Sequence, residues 1–478
     1  MKRTNAAAFL IGSLSLMACA VGPDYARPPV ETPAAYKEQT GDWKPASPQD
    51  AASRGPWWTI YNDPALNALE EQVEISNQNL KAAEAAYRAS RAIIAESEAT
   101  LFPSLTLTGA ATRSHTGQPV SKTQNQYTTD LGASWEPDVW GRIRRTVESD
   151  VASAQASAAD LASAQLSAQS DLATTYFSLR AQDELKNLLN ETVKGQTQAL
   201  KIVQNQYDSG VVAKADVITA ETQLETTQAQ AINADVRRTQ LEHAIAVLIG
   251  KAPADFSLAP APLATETPLI PAEVPSALLE RRPDIAAAER QMAAANAQIG
   301  VETAAFFPNL TLSASYGYAA AALGKLLQAS NSLWSFGPAL AETLLDFGAR
   351  SARVDQAKAT FDQSVATYRQ TVLTAFQQVE DQLAASRILA DQARAEDIAV
   401  KSAHQAERLS LNQYKAGIVP YSSVIIAQTT TLNNEQNALA VRQSRFVASV
   451  ALIQALGGSW DASRLPSEDA VNPGITLP

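Results

Sequence analysis

One peptide is written twice in this chain. "LFPSLTLTGA" begins at Leu101 and "FFPNLTLSAS" at Phe306. Each follows a helix-like run and each carries a Phe-Pro pair. That pair ends a helix, because proline lacks an N–H and disfavours helix at the residue before it. The echo continues downstream: "VWGRI" at Val139 is answered by "DFGAR" at Asp346, and "NQYDSGVVAKADVITAE" at Asn205 by "NQYKAGIVPYSSVIIAQ" at Asn412. "LIGK" near Ile249 is answered by "ALGGSW" at Ala455. A tandem duplication of this kind restricts the fold to two near-equal units.

Within each unit the hydrophobic period changes at the Phe-Pro pair. Before it, Leu66, Leu69, Val73, Leu80, Ala83 and Tyr87 recur at threes and fours and predict one helix up to Pro103. After it the period is two. Leu105 and Leu107 alternate with Thr106 and Thr108. Tyr127, Thr129, Leu131, Ala133 and Trp135 alternate with Thr128, Asp130, Gly132, Ser134 and Glu136. In the second unit Leu310, Leu312, Ala314, Tyr316 and Tyr318 alternate with Thr311, Ser313, Ser315 and Gly317. A shorter, weaker candidate strand lies around Ser332 to Gly337, and "TRSHTGQPVSKTQNQ" from Thr112 reads as a polar loop. One apolar face and one polar face make the pattern of a barrel strand with lipid outside and water inside. Asp130 and Glu136 are expected on the water side. Trp135, Trp140, Tyr316, Tyr318 and Trp334 are candidates for an interfacial aromatic belt, with ordinary helix–strand packing as the alternative.

The remainder is helical. No proline occurs from Asp138 to Ala252, and Gly195 is the one glycine between Arg145 and Tyr207. A continuous helix of about 60 residues runs roughly 90 Å. Val151, Ala154, Ala158, Leu161, Ala168, Leu172 and Leu179 give it a thin apolar seam. Gly210 and Gly417 fall where each long helix turns back and are expected to take positive φ. The predicted organisation is a signal segment at 1–18, a Pro-rich arm at 19–56 and a first repeat at 57–250. A Pro-rich linker at 251–275, a second repeat at 276–460 and a tail at 461–478 complete it. The fold class is mainly α with a β-barrel part.

Each repeat supplies two strands long enough to cross a bilayer at a tilt, so a chain supplies four. Four strands cannot close a barrel, and an open edge in hydrocarbon leaves backbone groups unpaired at several kcal/mol each. Several copies must therefore share one barrel. A dimer would leave almost no lumen, and a trimer with twelve strands is the smallest useful assembly. The long hairpins would hang from it as a helical tube, which makes the assembly a conduit.

The N-terminus has the form of a targeting segment. Lys2 and Arg3 precede an apolar run, Ala6 to Met17, that is short for a bilayer span. "LMAC" ends it, and its Cys19, the sole cysteine, resembles the lipidated position of a bacterial lipobox. Removing the leader takes the formal charge of −11 to −13, which argues against nucleic acid as a partner. His115, His243 and His404 are the only histidines, and none stands beside a cysteine or an acidic cluster with ligand spacing. No metal, cofactor or catalytic set is expected.

The pieces "CAVGPDY", "PWWTIYNDPALNALEEQ", "ERRPDIAAAERQMAAANAQIGVETAAFFPNLTLSAS", the paired "NQY…G" turns and "ALGG" resemble the TolC-like outer-membrane efflux proteins. The branch is the lipoprotein one called OprM/NodT, and the likeness covers essentially the whole chain. The resemblance implies a homotrimeric channel with tandem-duplicated helical hairpins forming an α-barrel below a twelve-stranded β-barrel. It implies export of small molecules with an inner-membrane pump, commonly of the RND class, and a periplasmic adaptor. It also places a gate and an adaptor-docking surface at the hairpin tips, on Tyr207, Gly210 and Asp216 in the first repeat and Tyr414 and Gly417 in the second. Family members often carry carboxylates where this chain has Ser423 and Ile426. An apolar constriction, gating by dewetting, is the alternative to an acidic ring. Other readings are the duct of a protein secretion system or a lipid-anchored coiled-coil spacer.

Overall fold

The computed structural model describes residues 20–38, 56–119, 121–268, 270, 278–472 and 474. Cys19 lies outside the described residues. The first repeat runs α1 (Pro64–Ser76), α2 (Gln78–Ala99), β1 (Ser104–Thr116), β2 (Lys122–Trp135), α3 (Arg142–Asp208) and α4 (Lys214–Leu248). The second runs α5 (Leu278–Arg281), α6 (Pro283–Ala304), β3 (Asn309–Ala320), β4 (Ser332–Ala341), α7 (Ala349–Lys415) and α8 (Tyr421–Ala455). A last turn, α9, spans Glu468–Val471.

The two copies agree residue for residue in helix length. α3 and α7 have 67 residues each, α4 and α8 have 35, and α2 and α6 have 22. The offset is 205 ahead of the strands and 207 after them, so the second strand hairpin holds two extra residues. Both long helices start from a glycine in the left-handed region, Gly141 (φ +79°) and Gly348 (φ +93°).

Several expectations need correction. The predicted single helix from Leu66 to Tyr87 is broken at Asn77, whose side chain accepts from the Asn79 and Leu80 amides and starts α2 afresh. The second repeat breaks at the matching point, Arg282–Pro283. The "polar loop" from Thr112 is mostly strand: β1 and β2 stay paired out to Thr116 and Lys122. The weak strand at Ser332 extends to Ala341, through Gly337 and Pro338. Pro338 stands opposite Leu312 in β4, the outermost strand of the protomer's sheet, and the ladder to β3 runs on past it.

The Pro-rich ends are fixed to the body. In the arm, the Val21 amide donates to the Trp140 carbonyl (3.1 Å), and the Arg145 guanidinium donates to Asp24 (2.8 Å). Tyr25 donates to Glu289 (2.5 Å), and Arg27 to the Tyr368 hydroxyl (2.8 Å). The Lys37 and Glu38 amides end on Glu380 (2.7 and 3.0 Å). The linker is clasped where α3 and α4 run side by side. Asp183, buried, accepts from Arg238 (2.7 Å) and from the Ala261 amide (3.1 Å), and Arg180 donates to the Ala259 carbonyl (2.7 Å). The main core lies at this level. It joins Trp57, Trp58, Tyr176, Phe177 and Ile245 of the first repeat to Ile285, Tyr368 and Phe446 of the second.

Candidate channel wall and hairpin-tip gate

The four strands form one antiparallel sheet in chain order, β1-β2-β3-β4, leaving β1 and β4 as its edges. Register decides which side chains share a face. Leu107 pairs with Leu131, Leu131 with Tyr316, and Tyr316 with Trp334. Directly opposed residues project to the same side. One face therefore carries Leu105, Leu107, Leu131, Ala133, Trp135, Leu310, Leu312, Tyr316, Tyr318, Trp334, Phe336 and Leu340. The other carries Thr106, Thr108, Asp130, Ser134, Thr311, Ser313, Ser315 and Ser335. Large aromatic side chains stand in the open on the apolar face: Trp334 is 77% exposed. That is how a strand looks when its solvent is lipid.

The belt candidates take several positions. Tyr316 and Tyr318 touch each other, with ring centroids 5.7 Å apart and hydroxyls at 3.2 Å, beside Trp334 across β4. Trp135, at the end of β2, donates from its indole Nε1 to the Leu101 carbonyl (2.8 Å). Trp140 is not on a strand. It stacks on Phe307 (4.7 Å) and donates to the Pro308 carbonyl (2.9 Å), tying the two repeats together at the strand–helix junction. Glu136 pairs with Arg142 (2.8 Å) at the same level. Among the described residues no helix is long and apolar enough to cross a membrane.

At the far end, both hairpins turn in the same way. Gly210 (φ +76°) donates to the Tyr207 carbonyl (2.8 Å), and Val211 reaches back to Gln206 (2.8 Å). Gly417 (φ +73°) donates to Tyr414 (2.9 Å), and Ile418 to Gln413 (2.9 Å). The left-handed glycine lets the last amides cap the final carbonyls of α3 and α7. Below the turns, Val203 and Ala220 of the first hairpin pack with Tyr421 and Val424 of the second.

The two matching tyrosines differ. Tyr414 is half-buried and donates to Gln206 of the other hairpin (2.6 Å), with the Tyr421 ring 5.2 Å away. Burial, then the nearby Asp216 charge, holds its pKa above the usual phenol value. Tyr421 is raised too, by burial and then by Tyr414. Tyr207 is 38% exposed. The Asp216 amide bonds the Ala213 carbonyl (3.0 Å) and that of Ser423 bonds Pro420 (3.1 Å). Ile426 is 67% exposed, as are Val211 and Ile418 in similar measure. Sequence reasoning missed Gln206 and Tyr421, although both lie inside or beside the duplicated "NQY" motif. Among the described residues, no group of His, Cys, Asp and Glu has the arrangement of a metal site.

A family model described as outer membrane efflux protein matches residues 69–251 and 274–458. The toluene efflux pump outer membrane protein TtgC of Pseudomonas putida is 31% identical over 462 residues, covering 95% of this chain and 94% of that protein. Nodulation protein T of Rhizobium leguminosarum bv. trifolii is 31% identical over 458 residues, covering 94% and 96%. Among solved structures, the outer-membrane channel OprN is similar at TM-score 0.84 and 30% identity, over 92% of this chain and 99% of that one. The open state of the Neisseria gonorrhoeae MtrE outer membrane channel is similar at TM-score 0.79 and 26% identity, over 93% and 99%.

Proposed function

The chain belongs to the outer membrane efflux protein family, and from that premise we propose that three copies form the exit duct of a tripartite efflux system in the bacterial outer membrane. The strands are pooled into a twelve-stranded barrel, and the hairpins into a helical tube beneath it. The observation that carries this reading is the sheet: among the described residues it has four strands, with β1 and β4 unpaired on their outer sides, and one face is mainly apolar from Leu105, Trp135 and Leu340 up to Ala111 and Tyr318. A free edge in lipid is untenable, and copies placed edge to edge remove it. The duct is passive. Substrates are small molecules delivered by an inner-membrane pump of the RND class, with a periplasmic adaptor seated on the hairpin tips.

Cys19 carries lipid in this reading. Its neighbour Ala20 supports it, because Ala20 packs against Gly141 directly below the sheet, at the level of the inner leaflet. Exposed Val211, Ile418 and Ile426 at the tips favour an apolar constriction over an acidic ring. The test is accumulation of dyes and drugs in cells lacking the gene, with and without the partner pump. Increased accumulation that requires the pump is expected; unchanged accumulation across a broad panel rejects drug efflux. Planar-bilayer current through the purified protein separates a duct from a coiled-coil spacer, and a Cys19→Ala protein should lose its lipid mass.

A further inference from the structure

We infer that Phe347 of each copy seats on Phe102 of the next, making an aromatic lock between copies directly beneath the barrel. The inference rests on the trimeric reading and names the residues that meet there. Inside the protomer the strand–helix junction holds one such pair, Trp140 stacked on Phe307 at 4.7 Å. The duplication carries that pair across to the next copy. Counting 207 places on from Trp140 gives Phe347, and counting 205 back from Phe307 gives Phe102. Phe347 is 93% exposed in its own protomer and Phe102 59%. The same shift carries strand pairing across the seam. Ala133 opposite Ala314, between β2 and β3, becomes Leu340 opposite Gly109, between β4 of one copy and β1 of the next. Leu340 and Gly109 both stand on the lipid face, so the apolar face runs unbroken from copy to copy. Phe102, two places before β1, and Phe347, six places after β4, are thereby brought to one corner.

The backbone at Phe347 departs from its counterpart. Phe347 takes φ +53°, a left-handed conformation that a bulky residue rarely adopts, and Gly348 follows at +93°. The cap explains it. In the first repeat Asp138 accepts the Ile143 amide (2.9 Å) from four places before the start of α3. In the second, Asp346 accepts the Gly348 (3.0 Å) and Arg350 (3.1 Å) amides from three places before the start of α7. One residue fewer spans the turn. Arg350 ties that turn to the body, bonding Asp346 (2.7 Å) and lying over the Phe306 ring (5.3 Å). The loop is held while its ring stands in the open. A strained backbone persists where its surroundings fix it, and such places cluster at contact sites. The exposed Phe102 beside the facing edge strand is the matching cover. The two pairs differ in one respect. Trp140 also donates from its indole to the Pro308 carbonyl (2.9 Å), whereas phenylalanine has no N–H to give. The lock between copies is apolar alone, so it fixes position yet lets the copies turn about it.

The test uses full-length purified protein in detergent. With a short bis-maleimide, Phe347→Cys/Phe102→Cys should give covalent dimers and trimers. Trp140→Cys/Phe307→Cys should give only an internally linked monomer, and the single variants control for Cys19. Native mass is measured on the same samples and on the unsubstituted protein. Trimers by mass without links through 347 and 102 overturn the inference, leave the trimeric reading intact and put the ring against lipid instead. Single subunits in the unsubstituted protein overturn the reading itself. Phe347→Gly separates the lock from the turn. Glycine takes positive φ freely, so at a residue that serves only the turn it strengthens the trimer or leaves it unchanged. A docking ring predicts the reverse. Phe347→Gly and Phe347→Ala should each raise the protein concentration at which trimers dissociate by about tenfold or more, with helical circular dichroism retained. An unchanged or lower midpoint in Phe347→Gly removes Phe347 from the seam.

Discussion

The two repeats share a backbone and differ in surroundings. α3 and α7 have the same length and start from the same glycine geometry, yet α3 has twenty-one buried residues and α7 has seven. α3 lies inside the protomer, in contact with α6, α4, α2 and α8; α7 touches chiefly α6 and α8. Position in the assembly, not helix chemistry, sets this difference. Leu373 is 58% exposed, while its equivalent Leu166 packs on the core. Ile388 is 54% exposed, while its equivalent Ala181 is buried. A duplicated helix whose second copy keeps large apolar residues in the open has a surface that another chain must cover.

The comparison can be broken at the sheet, where the repeats should behave alike. Leu107→Lys and Leu312→Lys sit at matching places on the lipid face, and each should cost about 2–4 kcal/mol per copy near the bilayer centre. Both should abolish barrel assembly, read as loss of the folded trimer band on an unheated gel. Survival of either would remove that strand from the membrane. Along the long helices the repeats should behave differently. Leu373→Glu should leave a folded, helical protomer but no trimer by native mass, because it forfeits about 1.5–3 kcal/mol of apolar burial per copy and adds a charge. Leu166→Glu should instead unfold the protomer, seen as lost helical circular dichroism.

A third prediction sharpens the contrast at a residue that only the first copy has. Glu70 is 0% exposed, and among the described residues neither carboxylate oxygen has a hydrogen-bond partner. Burial pushes its pKa up to about 9, while the second copy carries Pro275 at the matching place. Folding therefore keeps a proton that the unfolded chain gives up above its ordinary value of 4.5. Stability from this group is complete below about pH 4.5 and falls steadily toward pH 9. Glu70→Gln should raise the melting temperature at pH 8 and leave it unchanged near pH 4. The smallest effect belongs to the tip: Tyr414→Phe should cost about 1 kcal/mol and raise single-channel opening modestly. Unchanged opening would show that the Tyr414–Gln206 bond does not hold the closed state.

Much of this architecture was legible because it is periodic. The Phe-Pro stops, the alternation at Leu310–Tyr318 and the glycines at 210 and 417 are local signals, and each marks an element boundary or turn. The strand ends past Thr112 escaped notice because Arg113, His115, Gln124 and Asn125 are polar on both faces there, so period two vanishes while the backbone ladder continues. β4 reads short because Gly337 and Pro338 carry breaker signals, yet the ladder to β3 runs on through both to Ala341. The Tyr414–Gln206 bond joins residues 208 positions apart, and no local pattern encodes it. The prolines of the arm mark it as extended but say nothing of where it docks, and its polar groups are met one by one by Arg145, Glu289 and Glu380.

The clasp around Asp183 gives the long helices a fulcrum. From Asp183 to Asp208 α3 continues for 25 residues, roughly 38 Å of rigid rod. A tilt of about 5° at the fulcrum swings its lower end by roughly 3 Å, as much as the full length of a hydrogen bond. Directional polar contacts fail over such a stroke, whereas greasy ones merely slide. A lever of this reach lets a slight push near the middle of the molecule be felt as an opening at its foot.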